Sequence, residues 1–288
     1  MERILITGGA GSMGKELSFI LAEKGYKVRV FDIPQANFTG LKEKGIEIFE
    51  GDITDKASVK KSLKDVDTVV HLAAILPPLS ENNKELAFKV NVDGTKNLVN
   101  AIESNGNKAR LIFSSTVATY GDTTDLEPPV TVDTKQRPNT NYSESKVRCE
   151  KYILDSGVDY TILRVAGVVL AALLDPPEWP FQADQRVEVV FRDDVVSALV
   201  AAVEVKESTN KILIIAGGET WQMKGHEFVE EFFKILDIEP EDAEYADEPV
   251  YSDWYDTEEA QSLLNYQNTT FPKFLKIFQK AVDEVLGW

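Results

Sequence analysis

The chain has 288 residues, with 31 Lys plus Arg against 48 Asp plus Glu and a formal net charge of −17. That balance argues against nucleic acid and anionic membrane surfaces as partners, because both are bound through basic patches. One cysteine, Cys149, and two histidines, His71 and His226, exclude an intrachain disulfide, a cysteine-based metal cluster and an all-histidine zinc site, while 43% apolar residues suffice for a sizeable core.

Met1-Glu2-Arg3 leads straight into a strand at Ile4–Thr7, with no signal-peptide hydrophobic region before it. The longest apolar run, Val165 to Leu174, is ten residues and too short to span a bilayer, so a cytoplasmic protein is expected. Met13 to Lys24 has apolar residues at helical spacing and stops at Gly25, a suitable residue just past a helix end. Strands follow at Val28–Phe31 and Ile46–Phe49, then a helix over about Ala57–Leu63 and a strand at Thr68–Leu72. A long helix spans about Lys84–Glu103, then a strand Ala109–Ser114, a helix Ser143–Leu154 and a strand Tyr160–Leu163. This alternation predicts an α/β fold, a doubly wound parallel sheet with helices on both faces. After Arg164, Pro176-Pro177-Glu178-Trp179-Pro180 is loop chemistry. Val187–Phe191 resumes a strand, Val195–Val205 a helix and Ile212–Ile215 a strand ending at Gly217-Gly218; the last seventy residues read as mostly helical and acidic. Residues 1–165 form the expected dinucleotide-binding domain, its sheet completed by about 187–205. Residues 166–186 and 206–288 form a smaller substrate-binding lobe.

Thr7-Gly8-Gly9-Ala10-Gly11-Ser12-Met13-Gly14 lies between a strand and a helix, the context of a phosphate-binding loop. Gly8 permits the tight turn, Gly11 the approach of a pyrophosphate, and Gly14 close packing of helix on sheet. Ser12 and Met13 open the helix, whose N-terminus offers N–H donors and partial positive charge. Asp32, at the end of the second strand, has the position of an acid that binds ribose hydroxyls. Ile33, Pro34 and Gln35 offer no cation for a 2′-phosphate, so NAD is preferred over NADP. Asp52 and Ile53 after the third strand suit an adenine, by an accepted hydrogen bond and by packing. Leu72, Ala73 and Ala74 close the fourth strand with small residues that leave room for a ligand. His71 is expected to be a buried structural residue. Tyr142 and Lys146 share a helix face; a nearby ammonium stabilises the phenolate, which fits Tyr142 for proton transfer at a hydroxyl. Thr116, ending the fifth strand, can orient the substrate oxygen.

Together these stations resemble the extended short-chain dehydrogenase/reductase family, its NAD-dependent epimerase/dehydratase group. The resemblance covers about the first 165 residues: the glycine loop, Asp32, Asp52-Ile53, His71 to Ala74, Asn91-Val92-Asp93-Gly94-Thr95, Phe113 to Thr116, Tyr142-x-x-x-Lys146 and Leu163-Arg164. Asp193-Asp194-Val195 looks like a later family signature. The resemblance implies a Rossmann-type fold, Thr116, Tyr142 and Lys146 as catalytic residues, and Lys146 also on the cofactor ribose. Asn91 either helps fix the cofactor and a proton-relay water or caps or kinks the long helix. The family also implies a homodimer in which the 84–103 and 143–154 helices pair across a two-fold axis; Ala87, Val90, Leu98 and Ile102 offer the apolar surface.

Three departures bear on the reaction. Val117-Ala118 stands where family dehydratases carry an Asp-Glu pair, which disfavours dehydration. Arg164 is followed by neither the Asn nor the Tyr-Gly-Pro of many sugar-nucleotide epimerases, and either binds a substrate phosphate or forms a structural ion pair. Ile75-Leu76-Pro77-Pro78-Leu79 is unusually apolar for a sugar site, unless it is core. The leading expectation is an NAD-dependent oxidoreductase acting on a secondary alcohol or ketone. The alternatives are a nucleotide-sugar 4-epimerase using tightly bound NAD and a non-catalytic NAD-sensing regulator.

Overall fold

The computed structural model describes residues 2–104, 109–172 and 179–287. Short strands with apolar centres alternate with helices: β1 (Arg3–Thr7), α1 (Ser12–Glu23), β2 (Lys27–Asp32), β3 (Glu47–Glu50), α2 (Lys56–Ser62) and β4 (Thr68–His71). Two helical turns, α3 (Leu79–Asn82) and α4 (Lys84–Ala87), lead into α5 (Gly94–Ser104), then β5 (Arg110–Thr116), α6 (Asn141–Leu154), β6 (Tyr160–Val165) and β7 (Gly167–Val169). The remainder holds β8 (Arg186–Val187), β9 (Val189–Phe191), α7 (Arg192–Glu204), β10 (Lys211–Ile215), β11 (Met223–Lys224), α8 (Gly225–Leu236), α9 (Glu258–Leu264) and α10 (Phe271–Leu286).

Seven strands form one sheet in the order β10-β6-β5-β4-β1-β2-β3, and the pairs from β3 across to β5 are parallel. Ile4, Leu5, Ile6, Val69, Val70, Leu111 and Ile112 are completely buried, as strands covered on both faces must be. The strand order reverses between β1 and β4, which opens a crevice beyond their carboxyl ends where ligands of such sheets bind.

The chain divides into two compact units. The first comprises Met1–Thr116, Pro138–Arg164 and Val196–Leu213; the second comprises Val117–Arg137, Val165–Val195 and Ile214–Trp288. Within the first, Arg110 sends its guanidinium to the carbonyls of Ala202 (2.5 Å) and Val203 (2.9 Å), satisfying the acceptors that the end of α7 leaves unpaired. The second is centred on an aromatic cluster from α8, α10 and their neighbours. It includes Trp221 against Phe271 at 5.0 Å and Phe232 against Phe278 at 4.9 Å between ring centres.

Four expectations from the sequence change. The strand expected at 187–191 is two short strands, β8 and β9, in separate small sheets, and the large sheet is completed by β10 instead. The break is Glu188, whose buried carboxylate accepts N–H groups from Gly218 (2.8 Å), Tyr255 (2.9 Å) and the Gln222 amide (2.9 Å); burial raises its pKa to about 7. The long helix over 84–103 contains a π-helical stretch, Phe88–Asp93, between α4 and α5. Third, Ala87, Leu98 and Ile102 are buried in the chain's own interior and supply no face to a partner, while Val90, only partly buried, packs against that core and lines the cleft described below. Finally, the helical part of the last seventy residues is confined, among the described residues, to α8, α9, α10 and two short 3-10 turns, Glu219–Trp221 and Pro240–Asp242. The loop expected at Pro176–Pro180 lies partly outside the described residues, as does the end of the apolar run at Leu173 and Leu174. No helix among the described residues is long and apolar enough to cross a membrane.

Candidate active site

The glycine loop turns where the sequence requires it. Gly8 adopts a φ of +67°, and a Cβ there would stand 2.7 Å from the Ala73 nitrogen; one at Gly14 would stand 2.5 Å from the Gly8 carbonyl oxygen. Both positions therefore demand glycine, and α1 can begin directly above the end of β1 with its N-cap at Gly11.

The helix N-terminus opens onto a cleft of about 510 Å³ at the carboxyl edge of the sheet. Eleven expected cofactor residues line it: Gly8, Gly11, Ser12, Met13, Gly14, Asp32, Asp52, Ile53, Leu72, Ala73 and Ala74. Phe31, Ile33, Gly51, Ile75, Leu76, Leu86 and Val90 line it too, and sequence reasoning did not single them out as cofactor residues. Asp32 ends β2, and its two carboxylate oxygens accept the N–H groups of Ala10 (3.0 Å) and Ile33 (2.9 Å). Each oxygen keeps a lone pair for a diol. Asp52 is exposed and accepts the Thr54 N–H at 2.8 Å, while Ile53 is buried beneath the cleft. The donor set fits a dinucleotide: N–H groups at a helix N-terminus, a carboxylate at the next strand end, and apolar walls.

Thr116, Tyr142, Lys146 and Asn91 do not line that cleft, although all four lie in the same unit: Tyr142 and Lys146 are neighbours on α6, Asn91 reaches Ser145 of that helix, and Thr116 ends β5. Thr140 caps α6 by accepting the Ser143 N–H, which puts Tyr142 in the first turn and Lys146 one turn on. Lys146 is 3% exposed and donates from Nζ to the Ser114 carbonyl at 2.7 Å, two residues before Thr116 at the end of β5. Its Nζ lies 4.7 Å from the Phe113 ring centre and 5.7 Å from that of Tyr142. Burial pulls the Lys146 pKa down to about 8, against the opposing pull of Cys149 and Glu150. A cation is thus held beside the phenol ring.

Asn91 links the cleft wall to α6. Its Oδ1 accepts the Ile75 N–H at 2.7 Å, and its Nδ2 donates to the Ile75 carbonyl (3.1 Å) and to Ser145 Oγ (3.0 Å). The amide is committed to positioning the loop after β4 against α6. Arg164, left open between a substrate phosphate and an ion pair, is paired: its Nη2 reaches Glu150 at 2.7 Å, both side chains are buried, and Ser115 bonds the same carboxylate. Glu150 went unnoticed, although its spacing of four from Lys146 puts it on the same helix face. His71 bonds Thr7 through Nδ1 (2.7 Å) and Thr95 through Nε2 (2.9 Å), and burial takes its pKa down to about 3. It is a neutral structural group. Asp194, of the later signature, accepts the Thr269 N–H (3.0 Å) and hydroxyl (3.2 Å) within the second unit.

Comparison with known proteins agrees with this geometry. The model of the NAD dependent epimerase/dehydratase family matches residues 4–178. A 3-beta-hydroxysteroid dehydrogenase of Mycolicibacterium neoaurum is 32% identical over 177 residues, 58% of this chain and 48% of its own length. D-erythronate dehydrogenase of Cupriavidus necator is 31% identical over 184 residues, 57% of this chain and 55% of its own. The chain spans about half the length of the curated relatives it matches. Among solved structures, UDP-glucose 4-epimerase of Thermotoga maritima superposes with a TM-score of 0.82 over 99% of both chains at 23% identity, a likeness of fold.

Proposed function

Because this chain belongs to the NAD dependent epimerase/dehydratase family, we propose that it is an NAD-dependent oxidoreductase that interconverts a secondary alcohol and a ketone. The observation that carries this reading is the buried Lys146 ammonium, held by the Ser114 carbonyl beside the Tyr142 ring. When bound, NAD supplies the hydride acceptor or donor. The glycine loop would receive its pyrophosphate, Asp32 its adenosine ribose, and Asp52 with Ile53 its adenine. Thr116 holds the substrate oxygen. In oxidation the reacting carbon gives up a hydride, Tyr142 takes the hydroxyl proton, and the C–O bond becomes a carbonyl; reduction reverses each transfer. Lys146 would stabilise the phenolate, and the family resemblance would also put it on the second ribose.

The test is a screen of alcohols, ketones, hydroxy acids and nucleotide sugars with NAD, reading NADH. Net NADH formation is expected. A product isomer without NADH would assign the chain to the epimerases, and NAD binding without turnover to the regulators. Tyr142→Phe should abolish turnover while NAD affinity changes less than twofold, since only the titrating oxygen is removed. A homodimer and a cytoplasmic location belong to the same proposal. The first now rests on family resemblance alone; the second is supported by the single cysteine, Cys149, which is buried and suits a reducing compartment.

A further inference from the structure

The segment after β4 carries an unusual surface. Leu76, Pro77, Pro78 and Leu79 are consecutive and all exposed, with Leu76 at 55% and Leu79 at 48%. Four exposed apolar residues in a row are a liability in a protein surface unless they are used. The segment is held at both ends. On one side Asn91 takes both the N–H and the carbonyl of Ile75. On the other, the Glu81 carboxylate accepts the N–H groups of Asn141 (2.9 Å) and Tyr142 (3.0 Å), at the start of the tyrosine-bearing helix. The apolar run therefore spans from the cofactor cleft, whose wall includes Ile75 and Leu76, to the backbone of Tyr142.

Charge favours the same ligand chemistry. Residues 72–80 contain no charged side chain. Arg164, the cation that could have met a substrate phosphate, is buried against Glu150. A phosphate-bearing substrate would therefore not find the Arg164 guanidinium to pair with.

We propose that the substrate is an uncharged alcohol or ketone with an apolar carbon skeleton beside the reacting carbon, seated on Leu76 and Leu79. This rests on the redox reading above and adds the substrate class. Removing that skeleton from water supplies the binding energy, so kcat/KM should climb about fourfold for each added methylene until the surface is covered.

The experiment uses the full chain with NAD and a series of 2-alkanols from 2-butanol to 2-nonanol, with UDP-glucose as the polar, charged arm. The expected result is a rising series, no NADH from UDP-glucose, and a slope that Leu79→Ser flattens with NAD affinity unchanged. A flat series in the wild type, or turnover of UDP-glucose alone, overturns the apolar substrate and leaves the redox reading standing. No turnover in either arm or in the wider screen overturns both. If Leu79→Ser alters the mass in solution and not the slope, the patch is a contact between chains and the proposal is wrong.

Discussion

Asp32 engages each of its carboxylate oxygens once inside the protein, on Ala10 and Ile33, which fixes the plane of the group while leaving its outer face to a ligand. NAD should therefore bind at least tenfold tighter than NADP, about 1.4 kcal/mol, and Asp32→Ala should narrow that ratio; calorimetric titration of both dinucleotides measures it. Lys146 gives a pH signature. Its pKa falls from 10.5 to about 8 on folding. Between those values the unfolded chain holds the extra proton, so the burial cost, present in full below about 8, is relieved as pH rises. Activity runs the other way, because a neutral amine cannot support the phenolate. We expect kcat/KM of the cofactor-free enzyme's encounter with substrate and NAD to decline above about pH 8. Over the same range the urea midpoint, relative to Lys146→Met, should rise; parallel declines would contradict this account. The spacing of Tyr142 and Lys146 was readable because a helix turn is local information. The work of Asn91 was not, since its partners Ile75 and Ser145 are 16 and 54 positions away and only the fold brings them together.

Helix α6 shows how an element can be right in position and incomplete in meaning. The sequence reading starts it at Ser143, whereas the Thr140 cap starts it at Asn141, and its first N–H groups, of Asn141 and Tyr142, are met by Glu81 from 60 and 61 residues away. A carboxylate at a helix N-terminus contributes about 0.5–1 kcal/mol. Glu81→Ala should lose that in urea unfolding and lower kcat by loosening Tyr142, with Glu81→Gln recovering part of both through its amide oxygen. Equal kcat in all three would deny Glu81 any hold on the tyrosine. The alternation from β1 to β6 was readable because strands buried on both faces are written as short apolar runs. The apolar run around Glu188 misled: a buried carboxylate collecting three N–H donors ends one strand and starts another, and nothing local announces those donors.

Assembly and stability concern the chain as a unit. Two copies each carrying a net charge of −17 repel, so a dimer should be favoured by salt. Light scattering at micromolar concentration and 0.15 M salt is expected to give twice the chain mass, falling toward one chain in low salt; a single-chain mass at both would reject the dimer. The aromatic cluster of the second unit has an optical consequence. All four tryptophans, at positions 179, 221, 254 and 288, fall in that unit's segments, and the first unit has none. Intrinsic tryptophan emission therefore reports on the second unit, and not on the strand end that carries Asp32 or the helix that carries Tyr142. A denaturation curve followed by fluorescence alone would report the unit without Tyr142 and Asp32, and its superposition on a far-ultraviolet dichroism curve would show whether both units melt together.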